Sequence, residues 1–185
     1  MMIHLTQLWN GDPAPKGHGG RAALTLDTGL LALSWDVSLP PGEPRLPPEP
    51  AGFVERLWEQ DVIELFLGSR ANPESYLELE FGPGGHWLGL SFSGPREREA
   101  TLENLDPELR NELRPGRWRG RAALPIPLVE KHAGPAPWKG LVALVTGEQR
   151  VHACWPSLPG SSPDFHQPEA WAPVLPSPRV GGLAG

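Results

Sequence analysis

The clearest pattern along the chain is an alternation of hydrophobic and polar positions in two neighbouring segments. In residues 61–67, a strand would place Glu64 on the face that also carries a valine and a phenylalanine, with an isoleucine and two leucines on the other face. Residues 76–81 alternate in the same way after a turn signal at Asn72 and Pro73. If the two strands pair as a hairpin, their shared polar face collects Glu64, Tyr76, Glu78 and Glu80.

Other segments also have the length and composition of strands. They are residues 3–9, 22–26, 30–37, 86–92, 118–124, 141–146 and 150–155, with a last short strand near Val174 and Leu175. Four leucines at helix-like spacing, with Asp106 and Pro107 as a start signal, predict one short helix within residues 96–114. A helical turn is predicted over residues 128–132.

Many short strands separated by turn signals, with little helix, favour an all-β fold, an antiparallel β-sandwich. A chain of 185 residues fits a single domain over residues 1–185. Residues 39–57 are expected to form a Pro-rich surface loop, because proline cannot take part in an internal strand ladder. Residues 156–185 are expected to be an irregular C-terminal segment with one short strand.

Composition narrows the classes of partner. The formal charge of -6 argues against nucleic acid and against an anionic membrane, since both require a dense basic surface. The single cysteine, Cys154, excludes an intramolecular disulfide and lies in an apolar run that predicts a buried position. No segment has the length of a signal peptide or a membrane span, so a cytoplasmic location is expected. The excess of arginine over lysine, together with many prolines, suggests a thermophilic source.

The glutamate-rich face has three interpretations. It is a solvated outer face, or a structural ion-pair network, or a pocket that binds a hydroxylated ligand or a hard cation such as calcium. The arginines available for pairing are Arg56, Arg96, Arg98 and Arg119. We favour a pocket that is partly neutralised by Arg56 or Arg96. Paired carboxylates are also the machinery of glycoside hydrolysis, which remains an alternative.

The residues around this face resemble the signature of family 9 carbohydrate-binding modules, which belong to the wider group of DOMON-like β-sandwiches. The best match is the segment 58–61, which begins with Trp58, followed by residues 63–66. Further matching positions are Tyr76, Leu77, Glu78, Gly82, Pro83, Trp87, Arg96, Trp155, Phe165, His166, Pro168 and Trp171. The resemblance implies a jelly-roll-like sandwich and covers roughly residues 30–175.

In sugar-binding members of that family, two aromatic side chains enclose a terminal sugar ring and polar groups bond its hydroxyls. The resemblance implies that Trp58 and Phe165 are these aromatics and that Glu64 is a ligand-contacting carboxylate. Glu78 stands in place of the family's basic contact, and no asparagine occurs at residues 160–162, where the family has one. His166 is the histidine expected nearest the ligand.

The function implied is a non-catalytic module that binds a carbohydrate or another polyhydroxylated small ligand, without a cofactor and with structural calcium as an option. The predicted ligand-binding residues are Trp58, Glu64, Glu78, Phe165, Arg56, Arg96, His166 and Tyr76. One alternative is an intracellular sensor or scaffold that binds a metabolite or a protein loop, and another is a glycoside hydrolase. The sequence leaves the oligomeric state open.

Overall fold

Two β-sheets packed face to face make up most of the chain. The structure, a computed structural model, describes residues 1–72 and 74–174 together with the backbone of Ser177 and Pro178. Strand pairing within these residues is antiparallel except for two short parallel pairs. The predicted all-β antiparallel sandwich with little helix is therefore confirmed.

The first sheet begins at the N-terminus. Its strands in spatial order are β1 (Met2–Leu5), β2 (Gly19–Asp27), β3 (Leu30–Ser38), β10 (Arg117–Pro125) and β9 (Glu108–Arg114), with β14 (Ser177–Pro178) beside β2. The β2–β3 hairpin turns through Thr28 and Gly29, whose φ angles of 43° and 86° are both positive. Positive φ at both central residues suits a two-residue turn that matches the twist of the strands.

The second sheet carries the glutamate-rich strands at its centre. Its strands in spatial order are β12 (Val151–Trp155), β11 (Trp138–Thr146), β5 (Val62–Ser69), β6 (Tyr76–Phe81), β7 (His86–Gly94) and β4 (Gly52–Phe53). β8 (Glu97–Thr101) pairs with β7, and β13 (Ala172–Val174) pairs with β11. One α-helix, α1 (Ile126–Ala133), follows β10 and confirms the predicted helical turn. No helix in the described residues is long and apolar enough to cross a membrane.

The main core lies between the two sheets. The apolar faces of β5 and β6 contribute Ile63, Leu65, Leu67, Leu77, Leu79 and Phe81. From the first sheet, the Trp35 ring stacks on Phe81 at 5.7 Å between centroids and meets the edge of Trp118 at 5.3 Å. Gly120 gives the Trp35 ring its space, because a Cβ at this position would overlap the indole. The predicted apolar faces are thus confirmed.

The outer face of the second sheet carries a further apolar cluster, which surrounds the glutamates. Among its members are Val62, Phe66, Tyr76, Leu90, Phe92, Val145, Cys154, Phe165 and Trp171. Trp171 meets Tyr76 edge-on at 5.1 Å and lies against Phe66 at 5.7 Å. Since Phe165 and Trp171 follow β12 in the chain, the segment after this strand folds back over the sheet. Cys154 is buried here, as its apolar surroundings predicted.

The predicted helix within residues 96–114 is wrong, because this segment forms β8 and β9. Leu109 and Leu113 are four residues apart, and this spacing places two side chains on one face of a strand as well as of a helix. Pairing with β10 over seven residue pairs decides in favour of the strand.

Two other boundaries differ from the sequence prediction. The first strand ends at Leu5 rather than Trp9, and only isolated bridges continue it. The last predicted strand is β13, which ends at Val174, and Leu175 lies outside the described residues. The Pro-rich stretch 39–57 contains β4, and it anchors itself to the sandwich through buried Leu39, Val54 and Leu57.

Candidate acidic pocket

An open pocket of about 380 Å³ lies on the outer face of the second sheet. Strands β5, β6, β7, β11 and β12 supply its floor, and the segment after β12 supplies one wall. Six of the predicted site residues line it: Trp58, Glu64, Glu78, Arg96, Phe165 and His166. Their separation along the chain, from residue 58 to residue 166, shows that only the sheet brings them together.

Strand register puts three glutamates next to one another at the pocket floor. Glu64 on β5 lies directly opposite Glu80 on β6, and Glu78 follows two positions away on the same face. Glu64 and Glu78 line the pocket, while Glu80, on the same face, is fully buried and does not line it. The alternation seen in the sequence places all three glutamate side chains on the same face of the sheet.

These carboxyl groups are buried, and among the described residues no lysine or arginine forms an ion pair with them. The relative exposure is 4% for Glu64, 4% for Glu78 and 0% for Glu80. If the acids are ionised, Oε2 of Glu78 and both carboxyl oxygens of Glu80 have no hydrogen-bond partner within the described part of the chain. The solvated-face interpretation is therefore wrong, since these side chains have lost their water.

Burial shifts all three acids towards their protonated forms. Loss of solvation raises the pKa of Glu78 to about 7, with Glu80 and the guanidinium groups of Arg98 and Arg96 acting in the opposite direction. The pKa values of Glu64 and Glu80 rise well above the usual range, first through burial and then through the charge on Glu78. A protonated Glu80 donates a hydrogen bond to the Glu78 carboxylate, which favours one shared proton over two adjacent charges.

The arginines do not form the ion-pair network that the sequence offered as an alternative. Arg56 is a correction, because its guanidinium pairs with Glu59 at an exposed position outside the pocket. Its backbone, at φ 61°, begins the short 3₁₀ turn Leu57–Glu59 and turns the side chain along that turn. Arg119 lies on the other sheet and pairs with Asp36.

Tyr76 is the second correction, because it is fully buried and does not line the pocket, although it contacts the lining residues His166, Phe92 and Arg96. Its hydroxyl accepts the Arg96 backbone N–H at 3.1 Å and lies 2.7 Å from Nδ1 of His166. The tyrosine therefore donates its own proton to Nδ1, which assigns the imidazole proton to Nε2. Burial raises the pKa of Tyr76 to about 12, which keeps this donor in place.

His166 presents its Nε2–H to the pocket, 4.0 Å from Oε2 of Glu78. Burial, followed by the charge of Arg96, lowers the pKa of His166 to about 4, so the imidazole is neutral near pH 7. A donor and an acceptor consequently lie side by side at the floor, close enough for one polar atom of a ligand to contact both.

Aromatic rings form the walls above these groups. Trp58 is half-buried on the 3₁₀ turn, and the Arg98 guanidinium lies 5.4 Å from its ring centroid. Phe165 packs tilted against Phe66 at 6.1 Å and is nearly buried. Both rings line the pocket, so the two aromatics that the resemblance singled out reach the same cavity.

Among the polar lining residues, Arg150, Asp164 and His152 are not identified as site residues by the sequence. Arg150 donates hydrogen bonds to the carbonyls of Gln60, at 2.7 Å, and of Trp58, which ties the 3₁₀ turn to the β11–β12 hairpin. Asp164 accepts from the Arg96 guanidinium at 2.9 Å and from the His166 backbone N–H at 3.0 Å. His152 is the third. Nothing local in the sequence marks them, because their partners lie up to 92 residues away.

Metal binding receives no support from side-chain grouping. In residues 1–72 and 74–174, no three side chains of His, Cys, Asp or Glu form a group that could hold a metal ion.

Similarity to known proteins is found in one curated sequence and in solved structures. No established protein-family profile matches the chain. The human UPF0462 protein C4orf33 is 30% identical over 129 residues, which are 68% of this chain and 61% of the human protein. The match thus spans less than two thirds of that relative.

Two solved structures share the architecture. A candidate carbohydrate-binding protein from Bacteroides uniformis superposes with a TM-score of 0.70 and 17% identity, covering 93% of this chain and 84% of that one. A family 9 carbohydrate-binding module from Caldicellulosiruptor kristjanssonii, in complex with glucose, gives 0.51 and 14% identity, covering 76% and 68%. The chain has the β-sandwich fold of family 9 carbohydrate-binding modules. The wider DOMON grouping stays a prediction.

In this family 9 fold, the acidic pocket is a concave site with a polar floor and apolar walls. Its volume falls within the range of about 300 to 1,000 Å³ that is usual for small-molecule sites. Chemically, the site offers buried acceptors, one fixed donor and two aromatic surfaces.

Proposed function

We propose that the protein binds a sugar, or another polyhydroxylated small ligand, in the acidic pocket and does not transform it. The observation that carries this proposal is the pair formed by His166 Nε2–H and Glu78 Oε2, 4.0 Å apart at the floor. A hydroxyl group between them would accept from the imidazole and donate to the carboxylate, which satisfies both of its roles.

The walls supply the second requirement of sugar recognition. Trp58 and Phe165 offer flat apolar surfaces against which the C–H face of a sugar ring can lie. Arg98 lies by the indole and holds it through a cation–π contact, so the platform is ordered before a ligand arrives. The fold shared with a glucose-bound family 9 module supports the same ligand class.

The arrangement of the acids supports binding rather than hydrolysis. Glycoside hydrolysis needs an acid and a base on opposite sides of the scissile bond. Glu64, Glu78 and Glu80 instead lie in one patch on a single sheet face, and burial shifts their pKa values in the same direction. A ligand would meet all of them from one side.

Calorimetric titration with glucose, cellobiose and a panel of other mono- and disaccharides tests the proposal. We expect saturable binding by at least one of these sugars and a loss of at least about tenfold in affinity in Trp58→Ala, the order expected for a stacking platform. Trp9→Ala is the matched control, because Trp9 is also half-buried beside the outer-face cluster but does not line the pocket.

Two results would overturn the proposal. One is the absence of binding across the panel, and the other is equal binding by wild type and Trp58→Ala. Turnover of an activated glycoside that disappears in Glu64→Gln would show that the protein is a hydrolase instead.

A further inference from the structure

The pocket floor holds more acidic groups than a neutral sugar needs. Glu64 and Glu78 line the pocket and Glu80 is paired opposite Glu64 on the same face, so three carboxyl groups share one buried patch. Oε2 of Glu78 is buried, faces the pocket side of the sheet and has no hydrogen-bond partner in the described residues. A buried polar atom without a partner is unfavourable unless a ligand satisfies it.

The arginines that line the pocket are committed elsewhere. Arg96 pairs with Asp164 at 2.9 Å, and Arg98 reaches Glu55 at 3.5 Å while lying by the Trp58 ring. The side chains of Arg96 and Arg98 are 63% and 39% exposed, which places them at the mouth of the pocket. The guanidinium of Arg150 donates hydrogen bonds to the backbone carbonyls of Trp58 and Gln60. None of the three forms an ion pair with Glu64 or Glu78.

From this separation of charge, with unpaired acids at the floor and engaged guanidinium groups at the mouth, we infer that the preferred ligand is an amino sugar with a free ammonium group. The inference rests on the proposed function and names the class of sugar. The ammonium enters first, favours the ionised forms of Glu64 and Glu78 that burial alone disfavours, and directs its three N–H donors to their oxygens. The ring then lies between Trp58 and Phe165.

The contacts explain why each half of such a ligand suits its end of the pocket. An ammonium at the floor supplies the positive charge that the protein does not place there, and hydrogen bonds between charged groups are stronger than those to a neutral hydroxyl. A hydroxyl group of the same sugar still fits between His166 Nε2–H and Glu78. A carboxylated sugar would bring a second negative charge towards the floor and is disfavoured there.

The test compares four sugars by calorimetry near pH 7: D-glucosamine, D-glucose, N-acetyl-D-glucosamine and D-glucuronate. We expect glucosamine to bind about tenfold more tightly than glucose, the gain of a charge-assisted contact. N-acetylglucosamine carries no ammonium and should show no such gain. Glu78→Gln and Glu64→Gln should each reduce the ratio between glucosamine and glucose towards one.

Glu59→Gln is the matched control, since it removes the same charge from the 3₁₀ turn without touching the pocket. It should keep the full preference for glucosamine. Thermal unfolding of each variant checks that the fold is intact. The affinity ratio between glucosamine and glucose is evaluated separately for Glu78→Gln and for Glu64→Gln.

The outcomes separate the two proposals. If glucose binds as tightly as glucosamine, or if the preference survives both floor substitutions, the amino-sugar inference is wrong while sugar binding stands. If glucuronate binds most tightly, the arginines at the mouth govern selectivity and the inference is also wrong. If no sugar binds, both proposals fail.

Discussion

The two sheets treat acidic side chains on their outer faces in opposite ways. On the first sheet, Asp36 accepts from Arg117 through two hydrogen bonds of 2.6 Å and also lies near Arg21 and Arg119. These three arginines are 61%, 48% and 47% exposed in the order 21, 117 and 119. On the second sheet, Glu78 and its two neighbours are buried, and no lysine or arginine in the described part of the chain forms an ion pair with them.

The pKa values follow this difference in surroundings. The Arg117 hydrogen bonds hold the pKa of Asp36 well below its usual range, because they favour the charged form. Burial raises the pKa of Glu78 to about 7, because it disfavours the same charge. An acidic residue on the outer face of a strand therefore forms an exposed ion pair, as Asp36 does, or becomes a buried acid with a raised pKa, as Glu78 does. The difference depends on whether another segment covers the face.

The cover over the second sheet comes from the 3₁₀ turn Leu57–Glu59 and from the segment that follows β12. Trp171 packs on Phe66 and Tyr76 and donates its Nε1–H to the Phe165 carbonyl at 3.0 Å. The segment thereby removes water from one outer face while the arginines of the other face remain exposed. The comparison suggests that the acidic pocket exists because of this cover.

Removing the cover should have the largest effect. Trp171→Ala deletes a buried indole together with its ring contacts to Phe66 and Tyr76 and one hydrogen bond, so we expect a loss of about 3 to 5 kcal/mol in the free energy of unfolding. Urea titration measures it. Arg119→Ala on the exposed face is the control and should change stability by less than about 0.5 kcal/mol. A loss below about 1 kcal/mol in Trp171→Ala would show that the segment is not what covers the acids.

A smaller effect, of opposite sign, is expected for Glu80→Gln. The folded state raises the pKa of Glu80, so it holds a proton that the unfolded chain releases, and wild-type stability is lost as pH rises above about 4.5. Glutamine imitates the protonated acid at every pH. The variant should match wild type near pH 4 and exceed it by on the order of 2 kcal/mol near pH 8.

Urea titrations of both proteins across this pH range provide the measurement. His166 contributes an opposite slope between about pH 4 and 6.5, because its lowered pKa favours the folded state as pH rises. Taking the difference between variant and wild type cancels that slope. A pH-independent difference would mean that Glu80 is ionised in the fold.

The smallest effect belongs to the exposed ion pair. Asp36→Asn should cost less than about 1 kcal/mol near pH 7, since solvent and salt screen the surrounding arginines. Because the folded pKa of Asp36 is depressed, this contribution is present above the unfolded pKa of 3.8 and is lost as pH falls below it. Thermal unfolding of the variant and wild type at low and high salt measures this cost. A salt-independent loss above about 2 kcal/mol in the free energy of unfolding would show that the two outer faces do not differ as described.

Local pattern predicted the faces of the strands but not every element. The alternation in residues 61–67 and 76–81 was enough to place Glu64, Glu78 and Glu80 on one side, since neighbouring side chains of a strand point in opposite directions. The β9 strand was mistaken for a helix because its leucine spacing satisfies both periods. Pairing with β10, which is a tertiary contact, resolved the ambiguity.

The sequence by itself determined which side chains share a face, because that depends only on the backbone period. Whether that face meets water was decided by tertiary structure, since the cover comes from Phe165 and Trp171, about 90 to 100 residues further along the chain. Arg150 and Asp164 reached the pocket in the same way, through contacts between distant segments. The charge state of the acids follows from burial, and burial is a property of the assembled sandwich rather than of any strand alone.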